Sequence, residues 1–131
     1  MHRCHDQCKT ENVTVVTVDT FMAEKGIGHL SFMKIDTEGH EVAVLHGASA
    51  SIKDQRIDMI QLEYGGTYFD AGITLRQVYE ILQENYLICH LFPQGIVPMP
   101  YSEKLETFRY SNWVAISRNI YSRLDGMALK L

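Results

Sequence analysis

Residues 30–48 read Leu-Ser-Phe-Met-Lys-Ile-Asp-Thr-Glu-Gly-His-Glu-Val-Ala-Val-Leu-His-Gly-Ala. The stretch opens as an apolar strand and then turns to the carboxylates Asp36, Glu38 and Glu41 around Gly39. From Glu41 the apolar positions Val42, Leu45, Ala48 and Ile52 recur close to every 3.6 residues, which predicts a helix over 41–53 whose acidic start suits its dipole. A strand that passes directly into a helix is the unit from which an open α/β sheet is built. In such sheets ligands lie outside the carboxyl ends of the strands, so Asp36 and Glu38 fall where a site is expected.

The alternation extends in both directions. Val13, Val15 and Val18 are interleaved with threonines, which predicts a strand over 13–19. A short helical turn over 20–25 and the break Gly26-Ile27-Gly28 follow, and the density of large side chains in 30–35 predicts a strand buried on both faces. Downstream, 57–63 reads as a strand that again ends in a carboxylate, Glu63, followed by Gly65-Gly66. Thr74 and Gln77 make a capping box, and Leu75, Val78, Tyr79 and Leu82 fall on one helical face, so a helix is predicted over 75–84. Strands over 86–92 and 112–117 are separated by a connection that holds all three prolines and runs to Ser111. A connection of that length is a lid, a binding loop or a hairpin with structure of its own. The tail from Arg118 carries no strong pattern. The order of elements predicts a mostly parallel, doubly wound, Rossmann-like α/β sheet, with an antiparallel edge where the last two strands are joined without a helix.

A chain of 131 residues, 46% of them apolar, has enough material for one core and not for two. The expected organisation is a flexible segment over 1–12 followed by one α/β domain over 13–131. Twelve basic residues against sixteen acidic ones give a formal charge of −4 without a basic stripe, which argues against a polynucleotide partner. No run approaches the roughly 18 to 20 apolar residues of a membrane span, and the first residues are too polar for a secretory leader, so a cytoplasmic location is expected. An odd count of three cysteines points to reduced thiols. His2, Cys4, His5 and Cys8 offer soft ligands for zinc or nickel, but the spacing is not that of separated metal knuckles and chain ends fray. A loose start, with no metal, is the expectation there.

The run Lys34-Ile35-Asp36-Thr37-Glu38-Gly39-His40-Glu41, completed by Leu45-His46-Gly47-Ala48, resembles the signature of the FkbM-type S-adenosylmethionine-dependent methyltransferases. Thr17-Val18-Asp19-Thr20-Phe21 is similar to the segment that precedes the signature in that family, and Ile60-Gln61-Leu62-Glu63 to the strand that follows it. The resemblance spans about residues 13–117 but matches the C-terminal half of the family's domain. The glycine-rich loop of the form Asp-x-Gly-x-Asn-x-Gly, which holds the cofactor in that family, has no counterpart in the sequence. Glu63-Tyr64-Gly65-Gly66 imitates one only superficially, since Thr67 stands where a further glycine belongs and the capped helix begins several residues later.

The resemblance implies a methyltransferase fold, S-adenosylmethionine as cofactor, and methyl transfer to a hydroxyl of a small molecule or sugar. Such a transfer is an in-line displacement that needs alignment of two reactants and removal of a proton. On this reading Asp36, Glu38 and Glu63 are candidate catalytic carboxylates, His40 a candidate base, and Asp19 and Asp36 candidate cofactor contacts. Lys34 is placed to keep Asp36 ionised, while Glu41 reads better as a helix-start residue than as a catalyst. Asp36, Glu38 and Glu63 could also converge on a divalent cation, although nothing in their spacing requires one. His46 and His90 are weaker candidates, and Trp113, Tyr64, Tyr68 and Phe69 read either as walls of an acceptor pocket or as core. The alternative is a non-catalytic remnant or split domain that pairs an open sheet edge with a second copy or with a chain supplying the missing strands.

Overall fold

The structure, a computed structural model, describes residues 10–124, with side chains to residue 121. In chain order the elements are α1 Val18–Glu24, β1 Leu30–Ile35, α2 Glu41–His46, α3 Ser49–Lys53, β2 Ile57–Tyr64, α4 Gly66–Ala71 and α5 Leu75–Leu82. They continue with β3 Tyr86–Phe92, β4 Gly95–Pro98, a 3-10 turn Glu103–Leu105, β5 Ser111–Ser117 and α6 Arg118–Leu124. The strands make one open sheet in the order β1-β2-β5-β3-β4. β1 and β2 pair in parallel, β5 pairs antiparallel with β2 and β3, and β4 pairs antiparallel with β3. Hence β1, β2 and β3 point one way, β5 is inserted against them between β2 and β3, and antiparallel β4 closes one edge. This is the expected Rossmann-like α/β class, with β5, which has no helical crossover, placed inside the sheet rather than at its rim.

The main core lies on one face of the sheet. Val42 and Leu45 of α2, Ile52 of α3, Tyr68 of α4 and Val78 and Leu82 of α5 cover Ile60, Leu62 and Trp113. The opposite face carries a smaller cluster, Cys89, Val114 and Ile116, against Ile120 and Tyr121 of α6. The helix α5 forms as expected: the Thr74 side chain accepts from the Gln77 amide, and Gln77 Oε1 accepts from the Thr74 amide.

Several expectations are corrected. Residues 13–17 are not a strand, and Val18–Asp19 already belong to α1, because Thr17 caps that helix by accepting from the Thr20 amide. Val13, Val15 and Val16 are exposed, so the β-branched alternation there has no sheet to join. β1 is not buried on both faces: Phe32 is half-exposed and Lys34 exposed, since β1 pairs only with β2. The helix expected over 41–53 is two helices. Asp19 separates them by donating its amide to the Gly47 carbonyl and accepting, on its carboxylate, the Ala50 and Ser51 amides that open α3. α4 starts directly after Gly65, where no helix was predicted, and α6 occupies the patternless tail. The 93–111 connection contains the β3–β4 hairpin and the 3-10 turn, with Pro98 on the edge strand where a missing amide costs no ladder bond. The His2, Cys4, His5 and Cys8 cluster lies outside the described residues.

Candidate active site

At the carboxyl ends of β1 and β2 a cavity of about 250 Å³ opens between the β1–α2 and β2–α4 turns, with Asp36, Glu38, Glu63, Thr67 and Tyr110 in its wall. The register explains how the carboxylates meet. Ile35 is opposite Leu62, which leaves Asp36 and Glu63 side by side as the chains leave the sheet, and Glu63 is opposite Asn112 of β5.

The β1–α2 turn is organised by Glu41. Its carboxylate is almost wholly buried and accepts from the Thr37 amide at 2.9 Å, the Thr37 hydroxyl at 3.1 Å and the Gly39 amide at 3.0 Å. It touches the cavity, but all of these bonds serve the turn, in keeping with the structural reading of that residue. Gly39 is required by the backbone: its φ is +99°, and a Cβ there would lie 2.9 Å from both the Ala71 Cβ and the Thr67 carbonyl oxygen. The turn therefore docks onto α4. Glu38 is held at φ 52°, a left-handed conformation that non-glycine residues seldom adopt, and its exposed side chain faces the cavity.

Lys34 Nζ lies 2.8 Å from Asp36 Oδ2, with both side chains partly exposed. The hydrogen bond and the charge of Lys34 hold the Asp36 carboxyl below the usual carboxylate range, and the Asp36 bond and charge raise Lys34 in turn. Glu63 accepts from the Tyr110 hydroxyl at 2.5 Å; Asn112 Nδ2 donates to that same hydroxyl at 3.2 Å, and Gln61 Nε2 donates to Asn112 Oδ1 at 3.1 Å. A polar relay thus runs across β2 and β5 into the cavity.

Tyr110 is positioned by the strap 99–110. Glu106 fastens that strap: it accepts the Leu75 and Arg76 amides at the start of α5, and the hydroxyls of Tyr64 and Tyr101. Burial pushes the Tyr64 phenol up to about 12, so it stays protonated; it donates to Glu106 and accepts the Phe108 amide at 2.9 Å. Phe108, at φ 52°, stacks on Tyr64 with ring centroids 5.9 Å apart.

Asp36, Glu38 and Glu63 are therefore brought together. His40 and Asp19 are not part of this wall. His40 is exposed at the N-cap of α2, its Nδ1 3.3 Å from the Thr37 carbonyl oxygen, and it borders an apolar groove with Val15 and Val44 instead. Burial works to raise the Asp19 carboxyl, but Ser51, the Ala50 and Ser51 amides and Arg56 outweigh it and hold it low, so its oxygens are engaged at the α1–α3 junction. Of the aromatic candidates, Tyr64 lines the cavity, Trp113 and Tyr68 are core, and Phe69 is exposed against Phe108. Among the described residues no group of three His, Cys, Asp or Glu side chains is placed to hold a metal ion. Tyr110, Asn112 and Glu106 were missed, and only one signal hinted at the first two: polar residues at alternate positions, Gln61 and Glu63 in one strand and Tyr110 and Asn112 at the start of another.

The geometry coincides with a family assignment. The model of the methyltransferase FkbM domain matches residues 5–88, more than half of the chain. The chain belongs to the FkbM methyltransferase domain family. The match takes in β1, β2 and the turns that carry Asp36, Glu38 and Glu63, whereas Tyr110 and β5 lie past it. No curated protein and no solved structure matches the chain. Among the described residues no helix is long and apolar enough to cross a membrane.

Proposed function

We propose that this FkbM domain transfers a methyl group from S-adenosylmethionine to a hydroxyl of a small molecule or sugar, at the cavity between Asp36, Glu63 and Tyr110. The observation that carries the reading is the convergence of Asp36 and Glu63 at adjacent strand ends within the family-matched segment. The donor set suits one end of the cofactor: S-adenosylmethionine carries a sulfonium cation, and the wall offers the carboxylates of Asp36, Glu38 and Glu63, with Lys34, which is not in the wall, paired to Asp36. The cofactor supplies an activated methyl group. Asp36, kept ionised by Lys34, is a poor proton acceptor and a good fixed negative charge toward that cation. Glu63 is the group that takes the acceptor's proton, with Tyr110 orienting its carboxylate through their short hydrogen bond.

The test is transfer of a labelled methyl group to a panel of hydroxylated compounds and sugars. Glu63→Gln is expected to lower kcat by about 10²-fold to 10⁴-fold, and Asp36→Asn to weaken the donor's binding more than the chemical step. Equal turnover by Glu63→Gln would sink the base assignment.

One observation favours a second reading, an interaction module. The outer edge of β1 has no partner strand among the described residues; Phe32 of β1 is exposed, and exposed Val16 and Phe21 line a groove with Leu30 and Met33 of the same strand. Pairing of that edge with a second copy, or with a chain that supplies further strands, is what this surface would do. If the chain binds no S-adenosylmethionine but runs as a dimer in size-exclusion chromatography with light scattering, this reading replaces the enzymatic one. The unpaired, buried Cys89 thiol fits a reducing compartment and supports a cytoplasmic location.

A further inference from the structure

A second cavity, of about 310 Å³, lies beneath the strap at the ends of β3 and β5 and shares Tyr110 with the carboxylate cavity. Its character is the reverse of its neighbour's. Lys104, Arg109 and His90 line it, no Asp or Glu does, and its exposed aromatic surface is Phe92 and Tyr110, while Trp113 is buried in its wall. In a chain of net charge −4 this is a local concentration of positive charge. Neither Lys104 nor Arg109 has a carboxylate within 4 Å among the described residues; the same holds for Lys25, Lys53 and Arg118, but Lys104 and Arg109 share one cleft. His90 packs edge-on to Trp113, ring centroids 4.8 Å apart, and its Nδ1 is buried with no hydrogen-bond partner. Two exposed cations beside the exposed rings of Phe92 and Tyr110 are the recognition elements for a flat molecule that ends in an anion.

We infer that this basic cleft binds the anionic, ring-bearing part of the methyl acceptor, a carboxylate or phosphate on a planar ring, while the acceptor's hydroxyl passes Tyr110 into the carboxylate cavity. The assignment to the acceptor rests on the methyltransferase reading; the binding of a planar anion does not. Lys104 and Arg109 supply charge to the anion, and Phe92 and Tyr110 offer the ring their exposed aromatic surface. The strap that carries both cations is the same one that sets Tyr110, so acceptor recognition and the Glu63 relay are built on one segment.

The single tryptophan of the chain lies in the cleft and reports on its occupancy. Phenyl phosphate, inorganic phosphate and phenol are titrated separately against the whole chain, following Trp113 fluorescence and confirming by calorimetry. Phenyl phosphate is expected to bind saturably, with the other two at least about ten-fold weaker, since each lacks one of the two contacts. Lys104→Ala with Arg109→Ala is expected to weaken phenyl phosphate about ten-fold or more, charge reversal of both to glutamate to abolish binding, and Lys53→Ala, a remote exposed lysine, to leave it unchanged. Circular dichroism establishes that each variant is folded. Absence of saturable binding to the wild type, equal binding of inorganic phosphate or phenol, or unaltered binding to the alanine pair overturns the inference and leaves the methyltransferase reading standing. Binding of phenyl phosphate without any binding of S-adenosylmethionine overturns that reading and leaves the cleft.

Discussion

The chemistry of the site turns on how Lys34 and Asp36 share one charge pair at the end of β1. Because the hydrogen bond and charge of Lys34 hold Asp36 low, the carboxylate is ionised throughout the neutral range. Lys34→Met is expected to return the Asp36 titration, read by carbon NMR, toward 3.8; an unchanged value would show that the pair does not form. Asp36 is exposed to solvent, so this variant should disturb titration far more than stability. Gly39 is the opposite case. A methyl group there meets Ala71 and Thr67 at 2.9 Å on a backbone of positive φ, and Gly39→Ala should cost about 1–3 kcal/mol in urea unfolding. An unaltered midpoint would contradict the close docking of the turn on α4.

Among the elements, two carboxylates act as fasteners that sequence periodicity does not expose. Asp19 joins α1 to α3 by accepting two α3 amides, and its folded pKa is lowered, so its contribution is present above the unfolded value near 3.8 and is lost as pH falls through the lower folded one. Asp19→Ala is expected to cost about 0.5–2 kcal/mol, as removal of a helix cap does, with the difference from wild type shrinking in acid. A constant difference down to pH 2 would count against the cap. Glu106 ties the strap to the start of α5, and Glu106→Ala should lower the unfolding midpoint and loosen Tyr110 from Glu63. These contacts also show why legibility was uneven. The capping box at Thr74 and the run from Lys34 to Glu41 are local patterns, and they read correctly. The Asp19 and Glu106 caps join residues about thirty positions apart, and nothing at either end of the sequence marks the pairing. The Val-Thr alternation at 13–18 read as a strand because periodicity records propensity and not the presence of a neighbouring strand to pair with.

At the level of the whole molecule, the insertion of β5 between β2 and β3 is what completes the candidate site. It brings Asn112 opposite Glu63 and sets Tyr110 across the cavity, a juxtaposition that depends on strand order and was therefore invisible in the chain. Asp36 and Glu63 were legible because each stands at the end of an apolar strand, and Glu38 because it follows Asp36 in the turn before a helix. The same topology leaves the outer edge of β1 without a partner among the described residues, beside half-exposed Phe32. On the interaction-module reading, the chain dimerises in light scattering and Phe32→Lys reduces that dimer; a monomeric wild type would contradict that reading, and an unchanged dimer would place the contact elsewhere. The central claim, that the cavity at the ends of β1 and β2 receives the methyl donor, is tested by amide NMR of the chain titrated with S-adenosylmethionine. Saturable shifts concentrated at Asp36–Gly39, Glu63–Thr67 and Tyr110 are predicted; shifts confined to other surfaces, or none at saturating donor, would contradict it.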